Sequence, residues 1–110
     1  MTAPTNYLTG IAGLLGNPHL FDISYDLNAF GQNYPGVIAE IQRMGGVRVQ
    51  ASKWWVTSYQ SATALRDRLR PLMDFNDSLM VAELTGDVAG YEHRQDLRDW
   101  MQAVLNARAA

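Results

Sequence analysis

Apolar and polar side chains alternate from Leu20 to Asn28, with Phe21, Ile23, Tyr25 and Leu27 on one side and Asp22, Ser24 and Asp26 on the other. A period of two predicts a first strand with one buried face. After a loop rich in turn formers, Asn28 to Tyr34, Pro35 stands where a first helical position tolerates it. The spacing predicts a helix over 35–44 that buries Ile38 and Ile41, with Val37 and Met44 at its margins, and Gly45-Gly46 ends it as a left-handed C-terminal cap does. Val47 to Ala51 and Lys53 to Ser58 are rich in β-branched and aromatic residues and predict two more strands. Their connection is so short that it must be a hairpin or a bulged bend. Ser61 suits the N-cap of a helix over 62–73 with the stripe Ala62, Leu65, Leu69 and Met73, which Pro71 kinks or shortens. Asp74 to Asp77 is a turn, Ser78 to Leu84 a fourth strand, and residues 94–107 a last helix. That helix carries a clean apolar stripe, Leu97, Trp100, Met101, Val104 and Leu105, which must be covered by its own sheet or by a second subunit.

Strand, helix, strand, strand, helix, strand is the split βαβ order of an α+β, ferredoxin-like βαββαβ domain, in which two helices cover one face of a four-stranded antiparallel sheet. Residues 20–110 form this domain, with 1–19 as an N-terminal extension and 94–107 as an extra C-terminal helix. In the extension, Leu8, Ile11, Ala12 and Leu15 have helical spacing, but Gly10, Gly13 and Gly16 weaken it. The sheet's other face is left to solvent, to the terminal segments or to a dimer, and Trp54, Trp55, Met80 and the last helix point to burial. Trp54 and Trp55 fall on opposite faces, one in the core and one on the open face, where it anchors an interface or stacks on a base. The interface candidates are Trp54, Trp55, Trp100 and Met101.

Length and composition narrow the chemistry. A chain of 110 residues is one domain with a core of its own. It has no cysteines, and His19 and His93 lie far apart, so any metal would be held by oxygen, as magnesium or manganese is. The net charge is -2, from 9 basic and 11 acidic residues, which argues against binding nucleic acid by bulk electrostatics. Arg66, Arg68 and Arg70 form either a small guanidinium patch or the solvated side of a helix. No apolar run is long enough to span a membrane, and Tyr7 to Gly16 lacks the basic flank of a signal peptide, so a cytoplasmic protein is expected.

Three stretches carry a resemblance. Ile-Ser-Tyr-Asp-Leu at 23–27, Gly-Val-Arg-Val-Gln-Ala-Ser-Lys-Trp at 46–54 and Asn-Asp-Ser-Leu-Met-Val at 76–81 resemble the small dimeric subunit of CRISPR spacer-acquisition complexes, the Cas-two family, and its relatives the VapD toxins. The chain is similar, more closely, to small bacterial Cas-two-like (SinR-like) proteins, through Tyr25 to Tyr34, Ser52 to Trp54 and Leu65 to Leu69. The resemblance spans about residues 20–86. It implies a homodimer and, in the nuclease members, a first-strand aspartate from each subunit that meets its mate across the two-fold axis and helps hold magnesium or manganese for phosphodiester cleavage. The matching residue is Asp26. The basic residues that commonly follow Tyr-Asp in that family are replaced here by Asn28 to Tyr34.

Asp26 therefore has two readings, a metal ligand and catalytic residue, or a carboxylate that caps the turn beside Asn28. Gln50 and Ser52 could contact a substrate or hydrogen-bond at a dimer seam. Three functions follow. The first choice is a dimeric structural or interaction subunit, with a protein partner from a defence or toxin-antitoxin locus. The alternative is a metal-dependent endonuclease using Asp26, and the third is a non-catalytic nucleic-acid-binding module working through Arg48, Lys53, Arg66 and Arg70.

Overall fold

The computed structural model describes residues 16–28 and 34–109. Its elements are β1 (His19–Asp26), α1 (Tyr34–Arg43), β2 (Val47–Gln50), β3 (Lys53–Ser58), α2 (Ala62–Leu69), a 3-10 turn (Arg70–Leu72), β4 (Ser78–Glu83) and α3 (Gln95–Ala107). The strands lie in the order β2-β3-β1-β4, and every neighbouring pair is antiparallel. With α1 between β1 and β2 and α2 between β3 and β4, this is the ferredoxin-like arrangement the sequence predicts.

Local chemistry sets the element ends. Gly45, at φ 82, donates to the Gln42 carbonyl, and Gly46 donates to the Ile41 carbonyl at 2.9 Å, the paired bonds of a Schellman cap that stops α1. The Ser61 hydroxyl accepts from the Ala64 N–H at 3.1 Å and opens α2. Pro71 has no N–H to continue the ladder, so the helix expected to reach 73 ends at Leu69 and tightens into the 3-10 turn. Between β2 and β3 the register shifts between Arg48 and Gln50, so the short connection is a hairpin carrying a bulge.

The sheet divides two apolar clusters. On the first face Ile23, Tyr25, Leu27, Trp54 and Val56 pack with Val37, Ile41, Leu69 and Met73. Val37, expected at the margin of α1, is fully buried, while Ile38 is only partly so, because the inward line of the helix runs through Val37 and Ile41, one turn apart. On the second face Leu20, Val49 and Trp55 pack with Leu97, Trp100 and Val104 of α3. The last helix thus covers its own sheet.

Both ends of α3 are tied down. At its start the Arg94 guanidinium donates to the Val49 carbonyl at 3.2 Å and to the Glu92 carboxylate at 2.7 Å. Beyond its end Arg108 donates to the Leu84 carbonyl at 2.7 Å, and the Ala109 N–H donates to the Pro18 carbonyl at 2.8 Å. Pro18 is itself fully buried, so the folded unit takes in residues just before 20, whereas the helix predicted around Leu8 to Leu15 lies outside the described residues. Among the described residues no helix is long and apolar enough to cross a membrane.

Candidate functional site

Alternation along β1 sends Leu20, Asp22, Ser24 and Asp26 to the second face, and α3 covers only the Leu20 end of it. At the other end Asp26 stands opposite Ser78 of β4, and Ser24 stands opposite Met80. These four residues line a shallow depression of about 270 Å³. Asp26 is exposed, and among the described residues its carboxylate has no ion pair or hydrogen bond.

The turn-capping work expected of Asp26 is done by Asp77. One Asp77 oxygen accepts from the Asn28 N–H at 2.8 Å, and the other accepts from the Asp74 N–H at 2.7 Å. The Asn28 side chain donates in turn to the Asn76 carbonyl. Asn28, two residues past β1, is therefore pinned to the turn before β4, and Asp26 beside it has no such partner among the described residues.

As a metal ligand Asp26 would act with few neighbours. Ser24 and Ser78 offer hydroxyls, but this part of the face supplies one carboxylate. Magnesium sites built from one or two carboxylates and water are common, so one copy offers part of a coordination shell, and a second carboxylate would have to come from elsewhere.

The four basic candidates are each engaged within the chain. Lys53 lies on the second face and donates to Asp22 at 2.9 Å, while Arg48 lies against the ring of Trp54 on the first face, 4.8 Å from its centre. Arg66 pairs with Asp67, and Arg70 donates to the carbonyls of Met73 and Asp74. Arg68 is drawn across to Glu40 on α1 at 2.8 Å, so the arginines at 66, 68 and 70 are each engaged by different partners. Arg68 and Arg43 together hold the Glu40 carboxyl below its usual range.

Trp54, Trp55 and Trp100, expected at an interface, are occupied within the chain. Trp54 is 4% exposed and donates to the Tyr25 hydroxyl at 3.1 Å; Trp55 is 7% exposed and lies 6.4 Å, centre to centre, from Trp100. The two neighbours do point to opposite faces, but α3 buries Trp55 on the second much as α1 and α2 bury Trp54 on the first. Met101 is half-buried at the edge of that cluster. It borders a cleft of about 290 Å³ under residues 88–92, floored by Trp55 and rimmed by Tyr91 and Arg98, well away from Asp26 in the fold. Of the seam candidates, Gln50 is exposed, and the Ser52 carbonyl accepts from the Tyr25 N–H at 3.1 Å.

One feature escaped the sequence pattern. Asp22 sits between Lys53 and the Trp55 indole, which donates to its second oxygen at 3.0 Å, a cluster that exists only through the β1–β3 register. Met80, which the sequence puts on the open face, is 64% exposed within one chain. Its parity with Ser78 and Ala82, the two small residues of the strand, is the signal that it lies on the thinly covered side.

No family model matches the chain, and none of the curated proteins does. Among solved structures, the crystal structure of a hypothetical protein, TT1823 from Thermus thermophilus, is similar, with a TM-score of 0.55 and 22% identity over 69% of this chain and 93% of that one. The likeness concerns the fold.

Proposed function

We propose that the chain is a structural or interaction subunit that works as a homodimer, in a defence-related setting of the kind implied by its resemblance to the Cas-two group. The observation that carries this reading is the part of the second sheet face beyond α3, where Met80 of β4 is 64% exposed. A lone exposed methionine is ordinary on a protein surface, and its weight here comes from its place on β4, a strand at the edge of the sheet among the described residues. The scattered, already paired basic residues give little support to a nucleic-acid-binding role.

A second reading has one observation in its favour. Asp26 is exposed and, among the described residues, unengaged, as a metal-binding carboxylate of an endonuclease would be. Magnesium or manganese there would supply an activated water, and Asp26 would hold the ion.

The test is incubation of wild type and Asp26→Ala with single-stranded RNA and double-stranded DNA, in magnesium, manganese or EDTA, with light scattering on the same samples. A dimer that cuts neither substrate is expected. Metal-dependent cleavage that disappears in Asp26→Ala would overturn the proposal in favour of the endonuclease.

A further inference from the structure

We infer that β4 is the dimerisation element: its free edge pairs antiparallel with the β4 edge of a second copy of this chain, about a two-fold axis through Met80. The inference rests on the interaction-subunit reading and specifies its partner.

Among the described residues β4 pairs only with β1, so its outer edge is open. The strand reads Ser-Leu-Met-Val-Ala-Glu, without the lysine, proline or bulge by which natural edges are usually guarded. Its one charge, Glu83, is turned to His19 at 2.6 Å. The large apolar residues most exposed are Phe75, Met80 and Tyr91, and the first two lie on β4 or in the turn that leads into it.

Backbone direction fixes which groups are free. Leu84 donates to the Leu20 carbonyl at 2.8 Å, so by antiparallel alternation the N–H and C=O of Ser78, Met80 and Ala82 point to β1. Those of Leu79 and Val81 point outward. A two-fold axis perpendicular to the sheet keeps each side chain on its own face, so only residues of equal parity can oppose each other. Centred on Met80, the register sets Leu79 against Val81 of the second copy as hydrogen-bonded pairs, Ser78 against Ala82, and Met80 against itself as a close, non-hydrogen-bonded pair. Every one of these pairs is uncharged. Centring on Val81 would instead oppose Leu79 to Glu83, and centring on Leu79 would oppose Val81 to Asp77. The chosen register brings Glu83 and Asp77 together only at its fringe, where each is already engaged within its own chain.

This pairing has a consequence for Asp26. Three strand spacings of about 4.8 Å and an offset of four residues at about 3.3 Å each separate the two Asp26 positions by roughly 19 Å in a flat sheet. They could not share one ion.

The sequence has no cysteine, so a single introduced thiol reports on register alone. Non-hydrogen-bonded antiparallel pairs lie within disulfide reach. The experiment uses the full chain: light scattering of wild type and Val81→Pro, and non-reducing electrophoresis of Met80→Cys and Ala82→Cys after mild oxidation. We expect wild type at twice 12.3 kDa, a covalent dimer from Met80→Cys but not from Ala82→Cys, and a folded Val81→Pro at half the wild-type mass. Proline at 81 removes an outward N–H, as edge strands tolerate; should that variant fail to fold, the cysteine pair still decides. A monomeric wild type, or a dimer that does not cross-link at Met80, overturns the edge pairing. A dimer cross-linked elsewhere would leave the interaction-subunit reading standing, whereas Asp26-dependent cleavage by the Met80-linked dimer would remove that reading and leave the pairing.

Discussion

Trp55 donates its indole N–H to Asp22 across the β3–β1 pair at 3.0 Å, while Lys53, two residues before Trp55, takes the other carboxylate oxygen. The aspartate is mostly covered, with its side chain 13% exposed, so both bonds form where water is scarce. Asp22→Ala would leave the indole and the ammonium group without their acceptor, a loss of about 1–3 kcal/mol. Urea unfolding should show this as a lower midpoint at unchanged slope. Asp22→Asn, which keeps one acceptor oxygen, should lose less; an equal loss would mean that the charge on Asp22 matters more than its hydrogen bonds.

Trp54 and Trp100 are both buried indoles, but only Trp54 has an acceptor, the Tyr25 hydroxyl, and the Trp100 N–H has none among the described residues. Trp54→Phe should therefore cost about 1 kcal/mol more than Trp100→Phe, whose truncation also removes an unsatisfied donor. Denaturant titration of the two variants side by side gives the comparison.

Adjacent glycines at the end of α1 should respond differently to alanine. A Cβ on Gly46 would meet the Ile41 side chain at 2.5 Å and its carbonyl oxygen at 2.8 Å, whereas one on Gly45 would meet open space and carry only the strain of φ 82. Gly45→Ala should lose about 1–2 kcal/mol from its left-handed backbone. Gly46→Ala should lose at least as much, typically 1–3 kcal/mol for overpacking. Thermal melting in one buffer ranks them.

Acid should loosen α3. The Arg94 side chain and backbone N–H hold the Glu92 carboxyl down, from 4.5 to about 2, so in the folded state it stays ionised where the unfolded chain takes up a proton. A depressed folded-state pKa contributes stability that is fully present above 4.5 and is lost as pH falls toward 2. Glu92→Gln should flatten that limb of the stability curve, and Glu40, lowered by Arg68 and Arg43, should leave a smaller dependence in the same direction. The measurement is stability from urea midpoints at pH 6 down to pH 3; equal slopes for wild type and Glu92→Gln would remove Glu92 from the explanation.

The strands and helices could be read from the sequence because each depends on neighbours in the chain. The alternation from Leu20, the cap at Ser61, the stop at Gly45-Gly46 and the break at Pro71 all act within a few residues of where they are written. What crossed the sheet could not be read that way. Asp22 meets Lys53 and Trp55 only through register, Asp77 takes the turn-capping role expected of Asp26 by reaching Asn28 from 49 positions away along the chain, and Trp55 and Trp100 become core because α3 folds back over its own strands. The candidate site was legible in Asp26 and in Met80 of the open face, but how much of that face one chain leaves bare was not, since it depends on how far along the sheet α3 reaches.

Trp54 and Trp55 are joined by one peptide bond yet belong to different apolar clusters with a sheet between them. The chain therefore carries a pair of natural optical probes, one for each side of its interior. Trp54→Phe would leave Trp55 and Trp100 to report on the layer beneath α3, and replacing those two together would leave Trp54 to report on the layer beneath α1 and α2, so that the two sets of signals show whether the layers come apart together or in turn.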